Sequence, residues 1–198
     1  MITTIYLIRH GEVEFKYNKD GEKMIYGPNV HLSQSGIKQI KELAEIISKD
    51  ETNITLLYSS PFERTIETAK ILSNKLNIKK IIIEKELSDI YTKGQEKIPM
   101  RLLDSFHHQE TINKLSIRIV RAINQILSFN QGKTFAIICH GDPIRVYVDK
   151  LFFPRNKTPD NSRDQYYLGK GEAWRLEFNE KKQLINHKLI NLQKRIIL

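Results

Sequence analysis

The chain has 198 residues, of which 40% are hydrophobic and 28% charged, with a formal net charge of +9 and one cysteine. This composition is too apolar for an intrinsically disordered chain, and the lone cysteine excludes an intramolecular disulfide framework and a cysteine-based zinc finger. The N-terminus has no basic segment ahead of an apolar one, and no run reaches the ~18 apolar residues of a membrane helix. We therefore expect a single domain over residues 1–198 that has no signal peptide and lies in the cytoplasm.

The excess of basic residues gives a sequence pI of about 9.5. Such a balance favours anionic partners, among them phosphorylated metabolites, nucleic acids and anionic lipids. Lysines on solvated faces would give the same balance without a partner, and basic residues do not alternate with aromatic ones in any block. We expect neither a nucleic acid nor a membrane as partner, and the sequence leaves the oligomeric state open.

The N-terminal part contains a predicted strand, a long loop and a helix. Residues 4–8 are short, apolar and rich in β-formers, which predicts a buried strand. Residues 12–31 have no clear period and predict a long loop, a kind of segment that is often functional. Apolar residues at helical spacing over 37–47 predict a helix that Ser33 or Ser35 caps.

Residues 53–84 again alternate between predicted strands and a predicted helix. Residues 53–58 and 80–84 are predicted strands. Between them, Ser60 at the N-cap and Glu63 three residues later have the spacing of a capping box, which predicts the start of a second helix. Residues 88–108 have no period and are expected to be irregular.

The C-terminal part adds a helix over residues 112–126 and a continuous apolar strand over 134–139. A further helix follows and runs to Leu151, and residues 173–178 and 184–189 resemble a pair of strands. The alternation of strands and helices predicts an α/β protein, a three-layer α/β/α sandwich with a mostly parallel central sheet.

Two His-Gly pairs, at His10 and His140, each directly follow a predicted strand. Ligands bind at the carboxyl ends of strands in an open α/β sheet, so the two pairs could face one another there. Arg9 precedes the first pair, and Arg64 opens the helix after another strand. Arginines offer forked donors that match phosphate oxygens, and a neutral histidine can attack phosphorus. These residues predict a phosphate site; alternatively, each histidine only ends its strand.

These residues lie in longer motifs that resemble those of the histidine phosphatase superfamily, the phosphoglycerate-mutase-like proteins. The resemblance covers residues 4–150 and implies the phosphoglycerate mutase-like fold. The motifs, in chain order, are Ile5-Tyr-Leu-Ile-Arg-His-Gly-Glu12, Leu32-Ser-Gln-Ser-Gly36, Leu57-Tyr-Ser-Ser-Pro-Phe-Glu-Arg-Thr65, Leu87-Ser-Asp89 and Ile137-Ile-Cys-His-Gly141.

The resemblance implies a phosphomonoesterase in which His10 is the nucleophile and forms a phosphohistidine. It further implies that Arg9, Arg64 and His140 hold the phosphate and stabilise its transition state, without a metal or cofactor. Glu12 is expected to support the geometry of the site. The substrate-binding residues that we expect are Arg9, Gly11, Lys16, Arg64, His140 and Gly141.

The general acid implied by the resemblance is Asp89, with Glu86 and Glu96 as nearby alternatives. The mutases of the family follow their acidic residue with a basic pair for a second phosphate, and residues 89–94 lack it. A phosphatase acting on a small phosphorylated substrate is therefore favoured over a mutase-type phosphotransferase. A phosphate-binding regulatory module with little turnover is a further alternative.

Cys139 and Arg145 have the Cys-x5-Arg spacing of cysteine-dependent phosphatases. The apolar strand that ends at Cys139 argues against this mechanism, because burial raises the pKa of a thiol and makes it unreactive. His107 and His108 are expected to be a solvated pair, with a place at the substrate entrance as the alternative. His31 is expected to pack the loop.

Overall fold

The computed structural model describes residues 1–50, 53–105, 108–153 and 166–192. In these ranges the chain forms short 3-10 turns at Lys85–Leu87, Gln95–Lys97 and Met100–Ser105. The longer elements, in chain order, are β1 (Thr3–Arg9), α1 (Gln34–Ser48), β2 (Leu57–Ser59), α2 (Glu63–Leu76), β3 (Ile81–Ile83), α3 (Ile112–Phe129), β4 (Thr134–Cys139), α4 (Gly141–Phe152), β5 (Ala173–Phe178) and β6 (Leu184–Ile190).

The strands of the described ranges form one sheet in the order β3-β2-β4-β1-β5-β6. The four strands β3, β2, β4 and β1 run parallel, whereas β5 and β6 join the β1 edge in antiparallel orientation. The connection from β1 to β2 leaves one place in the sheet, and the chain returns from β3 through α3 to fill it with β4, which lies between β2 and β1. The mostly parallel sheet of the predicted α/β class is confirmed.

Apolar side chains on β1 alternate between the two faces of this sheet. Ile5 and Leu7 belong to a buried cluster that includes residues of α3 and α4. Tyr6 and Ile8 belong to the opposite cluster, with residues of α1 and α2. Helices thus cover both faces, which confirms the three-layer α/β/α arrangement. No helix in the described ranges has the length and apolar character that crossing a membrane requires.

The start of α2 differs from the sequence prediction. The helix begins at Glu63, its N-cap is Phe62, and no side chain caps it. The capping box is therefore wrong, because the Ser60 hydroxyl instead bonds with His140 at 2.8 Å and lies 3.5 Å from the Phe62 amide. The Ser33 cap is confirmed, since its hydroxyl accepts a hydrogen bond from the Gly36 amide at 3.1 Å.

Strand β2 is shorter than predicted, because regular pairing starts only at Leu57. Ahead of it, the Thr55 amide and the Leu56 carbonyl still bond with backbone groups of β4, at 3.0 and 3.1 Å. The segment therefore runs along β4 without forming a full ladder.

The loop after β1 passes directly over the start of α1. A side chain at Gly11 would come within 2.7 Å of the Gly36 carbonyl oxygen, and one at Gly36 would overlap the backbone of Glu12. Both positions require glycine because two backbone segments touch there. This contact fixes the chain just beyond His10.

Candidate active site

The predicted site residues, with the exception of Lys16, come together at the carboxyl ends of the parallel strands. His10 directly follows β1, His140 follows β4, and Arg64 lies in the first turn of α2, which follows β2. Because these strands are neighbours, their ends meet at one edge of the sheet. The rings of His10 and His140 lie edge to face, with their centroids 5.3 Å apart.

His10 is held in one tautomer. Its Nδ1 lies 2.8 Å from the carbonyl oxygen of Gly11, and a carbonyl only accepts, so Nδ1 carries the proton. The lone pair is therefore on Nε2, which accepts a hydrogen bond from Arg64 Nε at 3.2 Å. Burial, followed by the charge of Arg64, holds the pKa of His10 well below its ordinary value. The ring is thus neutral, with its nucleophilic nitrogen facing a guanidinium.

Arg64 is buried and connects three parts of the site. Besides His10, it donates from Nη1 to the Gly27 carbonyl oxygen at 3.0 Å, and its Nη2 lies 3.6 Å from Asp89 Oδ2. Burial lowers its pKa, and the charge of Asp89 opposes this change. The bond to Gly27 ties the loop that follows β1 to the guanidinium.

Arg9, the last residue of β1, lies beside Gly141 and Tyr167. It donates from Nη1 to the Leu168 carbonyl oxygen at 2.6 Å, and its guanidinium lies 4.8 Å from the ring centre of Tyr167. Its Nε is buried and has no hydrogen-bond acceptor in the part of the chain that the structure describes. A donor in this state favours an anionic ligand.

His140 is fully buried at the N-cap of α4. Its Nε2 bonds with the Ser60 hydroxyl at 2.8 Å, and its Nδ1 lies 3.7 Å from Asp89 Oδ2. Burial, then the charge of Arg64, holds its pKa well below the ordinary value. When Ser60 donates to Nε2, the proton of the neutral ring lies on Nδ1, which faces Asp89. The start of α4 adds its positive dipole end to this edge.

Asp89 is the acidic candidate that the structure brings to both Arg64 and His140. Its side chain is 27% exposed. Burial raises its pKa to about 6. The charge of Arg64 opposes this shift, and the charge of Asp142 adds to it. A carboxyl group with this pKa can exchange a proton near neutral pH.

The two alternative acids lie elsewhere. Glu86 pairs with Arg121 at 3.1 Å on the surface. Glu96 accepts a hydrogen bond from the Tyr91 hydroxyl at 3.1 Å and lines a separate cavity of about 290 Å³. Lys16 lines that same cavity, away from the one that contains Arg64 and Asp89. Among these residues, therefore, only Asp89 is placed to exchange a proton with a group bound at Arg64.

Two glycines and Glu12 keep the backbone of the site in place. The Gly11 amide donates to Thr68 Oγ1 at 3.4 Å, and the Glu12 carboxylate binds Lys170 at 2.6 Å. A side chain at Gly141 would overlap the Tyr167 hydroxyl and come within 3.1 Å of the Arg9 guanidinium carbon. Gly141 therefore makes room for the groups that surround Arg9.

Ser60 and Tyr167 are site residues that the sequence predictions missed. Ser60 belongs to a quoted motif, but a serine directly before proline is also typical of a helix cap, so the sequence does not reveal its bond with His140. Tyr167 lies far from every motif, so only the fold reveals its contact with Arg9.

Cys139 is fully buried in the core, and burial raises the pKa of its thiol. Arg145 pairs with Asp142 at 3.1 Å instead of facing that sulfur. An inert, protonated thiol does not attack phosphorus. The arrangement disfavours the cysteine-dependent mechanism.

The remaining histidines have different positions. His31 binds Glu67 at 2.7 Å, and the same carboxylate accepts the Leu32 amide at 2.7 Å, so this part of the loop is tied to α2. His108 lines the cavity next to Arg64 and is not fully solvated, in contrast to the expected solvated pair. His107 lies outside the described residues.

Comparisons with known proteins agree with these motifs. A family model described as "Histidine phosphatase superfamily (branch 1)" matches residues 5–187. Phosphoglycerate mutase-like protein 4 of Arabidopsis thaliana is 24% identical over 196 residues, which covers 87% of this chain and 83% of that protein. The metal-independent phosphoserine phosphatase of the same plant is 28% identical over 163 residues, covering 73% of this chain and 66% of that protein.

A solved structure has the same fold. The phosphoserine phosphatase of Entamoeba histolytica, in complex with 3-phosphoglyceric acid, matches with a TM-score of 0.72 and 19% identity over 96% of this chain and 98% of that chain. The family match extends over most of the chain and includes every quoted motif. The chain belongs to branch 1 of the histidine phosphatase superfamily and is an enzyme of the phosphatase class.

Proposed function

We propose that this enzyme is a metal-independent phosphomonoesterase that acts on a small phosphorylated substrate through a phosphohistidine at His10. The observation that carries the proposal is the bond between His10 Nδ1 and the Gly11 carbonyl oxygen, because it places the proton on Nδ1 and leaves the lone pair that can attack phosphorus on Nε2. Arg9 and Arg64 supply positive charge beside this nitrogen, which is what a metal ion contributes in metal-dependent phosphatases.

In the first step, the phosphate group lies between Arg9, Arg64 and His140. The bond from Nε2 of His10 to phosphorus forms as the bond from phosphorus to the ester oxygen breaks. Arg64 transfers its Nε donor from the His10 ring to a phosphate oxygen, so the guanidinium stabilises the charge that develops there. Protonated Asp89 gives its proton to the departing oxygen, and the product leaves as a neutral alcohol.

In the second step, the ionised Asp89 accepts a proton from a water molecule as the water oxygen attacks phosphorus. The bond between phosphorus and Nε2 breaks, the lone pair returns to His10, and inorganic phosphate leaves. Asp89 ends the cycle protonated, so one carboxyl group serves both steps. A pKa of about 6 suits these two roles near neutral pH.

The test is hydrolysis of phenyl phosphate by variants of the two candidate nucleophiles. His10→Ala should abolish hydrolysis and the acid-labile, base-stable label that a phosphohistidine leaves on the protein, whereas Cys139→Ser should retain most activity. His31→Ala is the matched control, because His31 is an exposed histidine outside the site. A chelator should leave the rate unchanged.

Activity that survives in His10→Ala and disappears in Cys139→Ser would overturn the proposal. Label on His10 without release of phosphate would point to a phosphotransferase or a phosphate-binding module.

A further inference from the structure

The cavity next to the catalytic groups has a volume of about 400 Å³ and is bordered by Arg64 and Asp89. A phosphate bound at Arg64 directs its ester oxygen toward Asp89, so the rest of the substrate enters this space. From the walls of the cavity, and on the basis of the proposed function, we infer that the preferred leaving group is bulky, apolar and free of negative charge.

The walls of this cavity are mainly apolar. The aliphatic and aromatic residues that line it include Ile25, Phe62, Ile90, Met100, Leu103 and Ile112. Leu103 is 36% exposed and Ile112 is 44% exposed. Large apolar side chains that are exposed together beside a cavity mark a ligand surface, since an apolar leaving group would remove them from water.

Phe62 connects this apolar surface to the reacting groups. Its ring centre lies 5.1 Å from that of His140 and 5.0 Å from the guanidinium carbon of Arg64. Phe62 is largely buried, so a flat, apolar leaving group whose oxygen lies near Asp89 contacts the part of this ring that borders the cavity. Aromatic rings pack well against one another in such offset or edge-to-face arrangements.

The charges along the cavity disfavour an anionic leaving group. In the described lining, the acidic and basic side chains other than Arg64 are Asp89, Asp142 and His108, and two of these three are carboxyl groups. Lys16 lines the neighbouring cavity, and Lys170 is bound to Glu12 in a third one. Asp89 enters the first step protonated, so a carboxylate on the leaving group would face the like charge of Asp142 while Arg64 holds the phosphate, and such a contact disfavours a ligand.

The experiment compares kcat/KM for phenyl, 1-naphthyl and 4-carboxyphenyl phosphates. The value for 1-naphthyl phosphate should equal or exceed that for phenyl phosphate. The value for 4-carboxyphenyl phosphate should be lower than both by about tenfold or more. Its phenolate is the better leaving group, so a deficit cannot come from the chemical step. Equal or faster hydrolysis of 4-carboxyphenyl phosphate would overturn the inference.

A charge placed in the wall should change this preference. Leu103→Lys, and independently Ile112→Lys, should lower the ratio of kcat/KM for phenyl phosphate to kcat/KM for 4-carboxyphenyl phosphate severalfold. Ile185→Lys adds the same charge at an exposed position of β6, away from the cavity, and should leave the ratio unchanged. If both cavity variants left the ratio unchanged, the walls would not set specificity and the inference would be wrong.

The outcomes separate this inference from the proposed function. Loss of all phosphate release, with no label on His10, contradicts the phosphatase mechanism itself. Turnover of anionic and apolar esters at similar rates, with label on His10, contradicts only the preference for apolar leaving groups.

Discussion

Replacing Asp89 by asparagine should stabilise the fold while it slows the reaction. Raising the pKa of this carboxyl group from 3.8 to about 6 disfavours its ionised form in the folded protein by about 3 kcal/mol. Asparagine resembles the protonated acid and avoids this cost. Because 27% of the side chain is exposed, solvent screening reduces the gain, and we expect about 1–2 kcal/mol at pH 8.

The effect of Asp89 on the free energy of unfolding depends on pH because folding raises the pKa of this group. Below pH 3.8 Asp89 is protonated in both states and contributes nothing. Between pH 3.8 and about 6 the folded state binds more protons, so this group lowers the stability of the wild type as the pH rises. Above that range the penalty is constant. The advantage of Asp89→Asn should therefore be larger at pH 8 than at pH 5.

Urea unfolding of the wild type and of Asp89→Asn at these two pH values measures the difference. Glu86→Gln is the control, since it removes a surface carboxylate and should change the free energy of unfolding by no more than about 0.5 kcal/mol. In Asp89→Asn, kcat/KM for phenyl phosphate should fall by about 10²–10⁴, and that for 2,4-dinitrophenyl phosphate by much less, because the dinitrophenolate departs without a proton and kcat/KM does not include the later hydrolysis of the phosphohistidine. An Asp89→Asn protein that is less stable than the wild type at pH 8 would refute the reasoning.

Two further predictions concern residues that contact the proposed catalytic groups. Ser60→Ala removes the partner of His140 Nε2 and should cost about 1–3 kcal/mol of unfolding free energy; it should lower kcat more than it raises KM, and unchanged stability and kcat would contradict the role of this bond. Gly141→Ala should displace Tyr167 and Arg9 and weaken inhibition by inorganic phosphate about tenfold. Adding Tyr167→Phe should restore part of this loss, because the hydroxyl is the nearest obstructing atom; a double variant no better than Gly141→Ala would place the obstruction elsewhere.

The central strands could be read from the sequence because their pattern is local. The apolar run of β4 has buried side chains on both faces, and the structure gives it the predicted bounds of Thr134–Cys139. Strand β2 was predicted too long, since the sequence cannot show that residues ahead of Leu57 bond only intermittently to β4. The local sequence pattern shows which segments are apolar enough to be buried strands. Where the hydrogen-bonded ladder of a strand begins depends on the backbone of the neighbouring strand.

The positions of the catalytic candidates were predictable in part. His10, Arg64 and His140 follow strand ends, so topology alone brings them to one edge of the sheet. The role of Ser60 was not predictable, because its hydroxyl has a local partner in the helix start and a distant one in His140. The position of Lys16 depends on how the loop folds, and no spacing in the sequence encodes that.

The register of the sheet has a consequence for synthesis of the chain on the ribosome. Arg9, at the end of β1, is the register partner of Cys139 in β4, and its guanidinium binds the backbone of Leu168. Contacts between residues so far apart in sequence form late. A nascent chain that has reached β4 therefore carries His10, the proposed nucleophile, while the guanidinium of Arg9 still has no Leu168 carbonyl to bind, and this contact forms only after residue 168 has been made.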